Sequence, residues 1–433
     1  MQASAGRKPM GDAAHASART EHPRERAREW GWSAAPVVLV LALGGALYAK
    51  NPQFFLQDDI LTQYLPASRD IARAIWSGDW PLLTPYSWFG AALAGEYQHA
   101  VFSPFEVALS ALVWAAPLSI AQTAAALVWV HLAILSAGAS RLARTLGCGN
   151  VEATVVALIA SANGWMMNWG AVNWYPALTS FAWLPWAWLA LAALARRSDV
   201  RPSRVLAAAL LLALIVSAGW LFTCAMMLLV TAWIALTQLH ASRSLRPLLL
   251  LCAAWVLALA LASPALAMLL DYGKSTERAT GAFSLNRGMM VPLEGLLGIA
   301  LPSYHTYWNN FFDSGIRRSV ELGGALVPCA CWAAALSYRG RALVREQASL
   351  LALVLICTLL ATSPAIEGLR CSFRWLPLLH LTLALLGMQA WSMTAAPAWL
   401  PAAVAAASTG LVWLRALGLA LDATSVTSAL GAS

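Results

Sequence analysis

The sequence predicts an all-α protein that crosses a membrane many times, and three observations support this fold class. The chain has 433 residues, of which 60% are hydrophobic and only 11% are charged, and its mean hydropathy is +0.64. A water-soluble protein of this size could not cover its surface with so few charges. Apolar runs of spanning length recur along the chain, and its 22 tryptophans fit the preference of this residue for bilayer interfaces. We therefore predict a polytopic helical membrane protein.

These apolar runs predict about eleven transmembrane helices. Their approximate bounds are 32–49, 119–140, 152–169, 177–195, 205–220, 221–239, 248–270, 320–337, 348–363, 376–393 and 398–418. The predicted domain organisation is a disordered basic tail at 1–31, a transmembrane domain at 32–421 and a short tail at 422–433.

The distribution of charge orients the predicted helices. Arginines lie in the short loops of one side, as at Arg196 and Arg197, whereas most acidic residues fall on the other side. The positive-inside rule then makes the N-terminus cytoplasmic and directs the loops 50–118, 271–319 and 364–375 to the opposite side. The basic residues are scattered over short loops, so the net charge of +8 indicates topology rather than a nucleic-acid partner.

The first of these outer loops is the longest polar interruption in the first half of the chain. Apolar residues recur at helical spacing over 60–76, with charged residues opposite, which predicts a helix lying in the membrane interface. The sequence Ser77-Gly78-Asp79 is expected to end this helix. Residues 104–116 are apolar but too short to span easily, and they predict a re-entrant or interfacial helix.

The adjacent acids Asp58 and Asp59 are the candidate catalytic residues of this loop. Three roles are open to them. A carboxylate at a helix start can satisfy free backbone amides. It can also act as a general base on an acceptor hydroxyl. Finally, the pair could bind a divalent cation such as Mg²⁺ or Mn²⁺, because hard cations prefer carboxylate oxygens.

Other polar residues on the predicted outer side are candidates for substrate binding. Arg370 and Arg374 precede a span, and arginine is suited to phosphate binding, although lipid headgroup contact is the simpler reading. The remaining candidates are Gln63, Tyr64, Glu96, Gln98, His99 and Asn163. For Asn163, and for His131 and His380 within spans, hydrogen bonding between helices is the favoured interpretation over a sugar pocket or a proton relay.

Several short motifs resemble those of the YfhO-like bacterial membrane proteins. They are DILTQYLP at 59–66, the stretch 90–104 that ends in Ser-Pro, Ala-Asn-Gly at 162–164, Trp-Leu-Pro at 183–185 and Ser-Phe-Arg-Trp at 372–375. The resemblance covers about 54–400. Longer members of that family carry further spans and an outer domain, so the resemblance leaves acceptor recognition open.

This resemblance implies a GT-C-class glycosyltransferase in the bacterial inner membrane. The donor would be a polyprenyl-phosphate-linked sugar, the acceptor an envelope glycan, lipid or protein outside the cytoplasm, and the transfer inverting. It implies a catalytic aspartate at Asp59, with Asp58 as its neighbour. We predict that Asp59 is the general base and that Asp58 is its helper or a metal ligand. Two competing functions remain: a transporter or flippase of a lipid-linked glycan, and a non-catalytic protein of envelope assembly.

Overall fold

Helices make up nearly all of the regular structure in the computed structural model. It describes residues 23–86, 90, 92–196, 201–274, 290–291, 293–300, 308–309, 316–317, 322–363, 371–394, 397, 399 and 403. The helices are α1 (Pro23–Lys50), α2 (Leu65–Trp76), α3 (Pro104–Ala115), α4 (Ile120–Thr145), α5 (Asn150–Ala162), α6 (Tyr175–Arg196), α7 (Pro202–Ser217), α8 (Leu221–Ser242), α9 (Arg246–Leu261), α10 (Ser263–Lys274), α11 (Leu297–Ala300), α12 (Leu326–Arg339), α13 (Arg341–Glu346), α14 (Ala348–Thr362) and α15 (Leu376–Ser392). Two strands of two residues each, β1 (Trp308–Asn309) and β2 (Ile316–Arg317), pair antiparallel.

The all-α class is confirmed, as is the presence of helices able to span a membrane. Within the described ranges, α4, α6, α8 and the part of α1 from Gly31 to Lys50 are long and apolar enough to cross a bilayer. The pair α9 and α10 adds a fifth candidate if the two count as one span, although their axes differ by 65°.

In the described part of the chain, fewer helices are long and apolar enough to span a membrane than the predicted count of about eleven. Helices α5, α7 and α14 occupy predicted spans, but they have 13, 16 and 15 residues. At 1.5 Å per residue they are roughly 20–24 Å long, against a hydrocarbon core of about 30 Å. The predicted span 398–418 and the tail 422–433 lie outside the described residues, except for positions 399 and 403.

Three boundaries differ from the sequence-based expectation. Helix α1 begins at Pro23, inside the stretch 1–31 that was predicted to be a disordered tail. Helix α5 ends at Ala162, seven residues before the predicted end of that span. The predicted straight span 248–270 breaks between Leu261 and Ser263, next to Pro264. Proline lacks the amide hydrogen and its ring collides with the preceding turn, which explains the bend.

The core of the bundle lies around α6. In its most apolar stretch 72% of the residues are buried inside the protein, whereas the corresponding value for α1 is 17%. Helix α4 packs against α1, α5 and α6, and α12 packs against α15. Small residues on α4, such as Gly138 and Ala139, allow this close approach of neighbouring helices.

The first loop folds into short helices that lie against one end of this bundle. A π-helical turn, Ile60–Tyr64, leads into α2, which buries Leu65 and Ile71 and exposes Arg69. As predicted, the helix ends at Trp76 before Ser77-Gly78. Helix α3 then packs on both α2 and α4. This arrangement brings the polar residues of the first loop next to the turns between α5 and α6 and between α7 and α8.

Candidate functional site

The backbone before the π-helical turn determines how the two aspartates are presented. Asp58 has a φ of +43°, in the left-handed region that aspartate tolerates better than most residues. Asp59 follows at the start of the turn, and its Oδ1 accepts a hydrogen bond of 2.8 Å from Gln63 Nε2. Within the described chain the Asp59 side chain caps no backbone amide, which argues against the simple capping role. Asp58 is exposed, and Asp59 is partly exposed.

The environment of Asp59 makes its carboxylate more basic than usual. Partial burial raises the pKa of Asp59 because water no longer fully solvates the charge, and the neighbouring negative charge of Asp58 raises it further. A carboxylate with a raised pKa binds a proton more readily, which is the property required of a general base.

Asp58 is tied to the connection between α5 and α6. Asn173 Nδ2 donates a 3.0 Å hydrogen bond to Asp58 Oδ2 across 115 residues of sequence. Asn173 stands in a short turn that follows a second π-helical turn, Met166–Gly170. The backbone amides of Asn173 and Trp174 both bond to the Trp169 carbonyl, so the turn is internally fixed.

Arg374 packs against Trp174, the residue that follows Asn173. The Arg374 guanidinium carbon lies 4.3 Å from the centre of the Trp174 ring and 4.5 Å from that of Trp220. Phe222 adds a third aromatic ring at 5.4 Å. Stacking on aromatic faces orients a guanidinium plane and reduces its freedom. We call Asp58, Asp59, Asn173, Trp174 and Arg374 the acid–arginine cluster.

A second polar segment of the first loop, which contains Tyr97 and Gln98, packs beside this cluster. Tyr64 Oη donates a 2.8 Å hydrogen bond to Gln98 Oε1, which joins the two halves of the loop. Tyr97 and Gln98 pack against the turn between α7 and α8. A Cβ built on Gly219 in that turn would lie 2.8 Å from the Tyr97 carbonyl oxygen and 2.9 Å from the Gln98 carbonyl oxygen. Glycine at 219 is therefore what lets the loop sit this close, next to Trp220.

Glu96 and His99 make contacts outside the acid–arginine cluster. Glu96 interacts with Tyr272 of α10. Burial lowers the pKa of His99 by disfavouring the charged ring, against smaller opposing effects of Glu96 and of the Leu93 backbone. His99 Nδ1 is buried and meets no hydrogen-bonding partner among the described residues.

The structure separates Asn163 from the other candidates. Its amide nitrogen donates to the carbonyls of Ile159 and Ala160, and its Oδ1 accepts from the Met166 amide. Asn163 thus ends α5 and bonds local backbone, rather than the neighbouring helix that the sequence favoured. Arg370 lies outside the described residues.

The sequence favoured a hydrogen-bonding role for His131, but it did not identify the partners of this residue beneath the first loop. His131 Nε2 lies 2.7 Å from Glu106 Oε1, and the Tyr175 hydroxyl lies 3.2 Å from His131 Nδ1. Besides His131, the sequence signal was an acidic residue, Glu106, inside the short apolar segment that became α3. Trp174 and Trp220 were missed as well, because nothing in their local sequence shows that they contact Arg374.

The arrangement offers a carboxylate of raised pKa and few protein ligands for a metal ion. No group of three or more histidine, cysteine or acidic side chains in the described ranges could hold a metal ion. Asp58 and Asp59 each already have one oxygen bonded to an amide. Mg²⁺ is commonly bound by one or two carboxylates together with waters and substrate phosphates, and one oxygen of each aspartate is left for such a contact.

Comparison of the chain with protein-family models, with curated proteins and with solved structures finds no match in any of the three.

Proposed function

We propose that this protein is a membrane glycosyltransferase that moves a sugar from a polyprenyl-phosphate donor to an acceptor outside the cytoplasm. The observation that carries the proposal is the contact of two consecutive residues with both candidate groups. Asn173 bonds to Asp58, and Trp174 stacks on Arg374. An acid from the first loop and an arginine more than 300 positions later are thereby brought to one end of the bundle.

The chemistry follows from these two groups. Asp59 takes the proton of an acceptor hydroxyl, and the oxygen attacks the anomeric carbon of the donor sugar. The bond between that carbon and the phosphate oxygen breaks, and the polyprenyl phosphate leaves with the electron pair. A single displacement of this kind inverts the anomeric centre. Arg374 interacts with the phosphate as its negative charge grows, which is the usual role of arginine in phosphate recognition.

The surrounding residues have supporting roles in this proposal. Gln63 holds the Asp59 carboxylate by its 2.8 Å hydrogen bond, and Asp58 raises the basicity of Asp59. Tyr64 and Gln98 hold the two halves of the first loop together. We place the protein in the bacterial inner membrane, with about eleven spans, a cytoplasmic N-terminus and this cluster on the extracytoplasmic side. The charge distribution and the resemblance of the 59–66 motif to YfhO-like proteins support this placement.

The test is the replacement Asp59→Asn, which removes the base and keeps the size and the hydrogen bonding of the side chain. Asp79→Asn is the matched control, because Asp79 is an exposed acid of the same loop. Both variants are returned to a host strain that lacks the chromosomal copy. Lost envelope glycan with normal membrane levels of Asp59→Asn supports the proposal. A normal glycan at normal protein levels refutes it.

A second candidate function, transport of a lipid-linked glycan, is favoured by one observation. The Glu106–His131 pair is fully enclosed between α3 and α4, and ionisable groups inside spans are typical of transporters. His131 lies eleven residues beyond Ile120, about 16 Å along the axis of α4. Transport coupled to this pair requires the Glu106 carboxyl group, so Glu106→Gln would abolish it while Asp59→Asn would leave it intact.

A further inference from the structure

Glu106, His131 and Tyr175 form a hydrogen-bonded group that the transfer reaction does not use directly. Glu106 belongs to the first turn of α3, His131 to the middle of α4, and Tyr175 is the first residue of α6. The relative exposure of Glu106 is 5% and that of His131 is 0%. Three separate segments thus meet at one buried polar point.

The geometry fixes how many protons this group holds. His131 Nδ1 lies 2.9 Å from the Leu127 carbonyl oxygen, which only accepts, so Nδ1 carries a hydrogen. Nε2 lies 2.7 Å from Glu106 Oε1, and this bond also needs one hydrogen, on either partner. The pair therefore shares one proton, either as imidazolium with carboxylate or as neutral imidazole with carboxylic acid. In both forms the pair is neutral overall, as a buried site requires.

Tyr175 connects this shared proton to the acid–arginine cluster. Its hydroxyl lies 3.2 Å from His131 Nδ1 and also interacts with Glu106. Along the chain it directly follows Asn173 and Trp174, the residues that contact Asp58 and Arg374. The Tyr175 ring also lies 6.4 Å from the ring of Tyr64, the last residue of the turn that begins after Asp59.

A small cavity lies where these parts meet. Tyr64, Gln98, His99, Glu106 and Tyr175 line it, and its volume of about 20 Å³ accommodates about one water molecule. The first loop therefore packs on polar side chains around this cavity. Tyr175 is one of them and also contacts His131. Displacing Tyr175 would alter both the packing of the first loop and the position of the Asn173-Trp174 turn.

We propose that Glu106, His131 and Tyr175 are positioning residues that hold the Asn173-Trp174 turn in register with the first loop. The shared proton keeps His131 bonded on both ring nitrogens, so its ring cannot rotate, and Tyr175 is held against it. Only the lipid-binding part of the test rests on the proposed function. The structural part concerns the turn itself.

Hydrogen–deuterium exchange measures the turn without a substrate. The amides of Asn173 and Trp174 bond to the Trp169 carbonyl and are protected as long as the turn is intact. In the purified full chain in nanodiscs, we expect Tyr175→Phe to speed their exchange about fivefold, the effect of losing one ordinary hydrogen bond. Ser140→Ala is the control, because it removes a buried hydroxyl from α4 nine residues beyond His131.

Two replacements of Glu106 separate a hydrogen-bonding role from a general packing role. Glutamine can donate to the free lone pair of a neutral His131 Nε2 and still interact with Tyr175, so Glu106→Gln should exchange at nearly the parental rate. Glu106→Ala leaves the buried nitrogen unsatisfied and should speed exchange about tenfold or more. If Glu106→Ala does not fold, the exchange rates of Tyr175→Phe and Glu106→Gln still test the positioning role.

The same variants are then titrated with undecaprenyl phosphate. Weaker binding by Tyr175→Phe and parental binding by Glu106→Gln and Ser140→Ala support the proposal. Unchanged exchange in Tyr175→Phe, or equally fast exchange in both Glu106 variants, overturns it. If the parent itself does not bind undecaprenyl phosphate, the proposed function fails, while the exchange data still support or overturn the positioning role.

Discussion

Replacing Gly219 with alanine tests whether the first loop sits on the turn between α7 and α8 as described. Gly219 has a φ of +87°, and its Cβ would lie 2.8 Å from the Tyr97 carbonyl oxygen and 3.0 Å from Gln98 Cα. Left-handed backbone costs a residue with a side chain roughly 1–2 kcal/mol. Overpacking costs about 1–3 kcal/mol, and backbone atoms cannot rotate away. The two costs lower the free energy of unfolding of Gly219→Ala by roughly 2–5 kcal/mol in total.

Gly78→Ala is the matched control for this prediction. Gly78 has a similar φ of +79°, but nothing lies within 4 Å of a Cβ built there. It therefore carries only the backbone cost of roughly 1–2 kcal/mol. Denaturant unfolding of both variants in the same detergent gives the two free energies. The difference between them measures the clash with the first loop.

The clash should also have a functional consequence. A displaced Gln98 would lose its 2.8 Å hydrogen bond from Tyr64, which leads into the turn that presents Asp59. We expect Gly219→Ala to lower envelope glycan and Gly78→Ala to leave it unchanged. Equal free energies of unfolding for the two variants would refute the docking of the loop and the geometry of the site that depends on it.

Three further predictions follow from single contacts. Asp58→Asn removes a charge that raises the pKa of Asp59, so the acidic limb of the pH–rate profile should move to lower pH; a fixed limb would exclude Asp59 as the base. Arg374→Lys loses the stacking on two indole rings and should weaken binding of undecaprenyl phosphate about tenfold in a titration, with the exposed Arg345→Lys as the control. Gly387→Ala places a Cβ 2.2 Å from a backbone carbonyl of α12 and should lower the free energy of unfolding by about 1–3 kcal/mol in detergent; parental stability would contradict the packing of α12 on α15.

Local sequence was sufficient to predict most of the helices. The amphipathic spacing over 60–76 and the Ser77-Gly78 stop gave α2 its correct end at Trp76. The apolar segments gave α4, α6 and α8 within a few residues. These features depend on hydrophobic periodicity and on turn residues, which act over about one helical turn and are therefore visible in sequence.

Helix interruptions were harder to predict, although their causes are local. Pro264 bends the segment 246–274, and Asn163 ends α5 by binding its last carbonyls. Both residues were visible in the sequence. Proline and asparagine are also tolerated inside spans, so only the surrounding packing decides whether the helix breaks.

The sequence by itself determined the all-α class, the apolar helices able to span a membrane, and the candidate groups Asp59 and Arg374. Only the tertiary structure placed Asn173 against Asp58 and Trp174 against Arg374, and only it enclosed Glu106 with His131. The physical reason is the separation along the chain over which each interaction acts. Helix formation is governed by residues three or four apart, whereas these contacts join side chains separated by as many as 200 positions and depend on how whole helices pack.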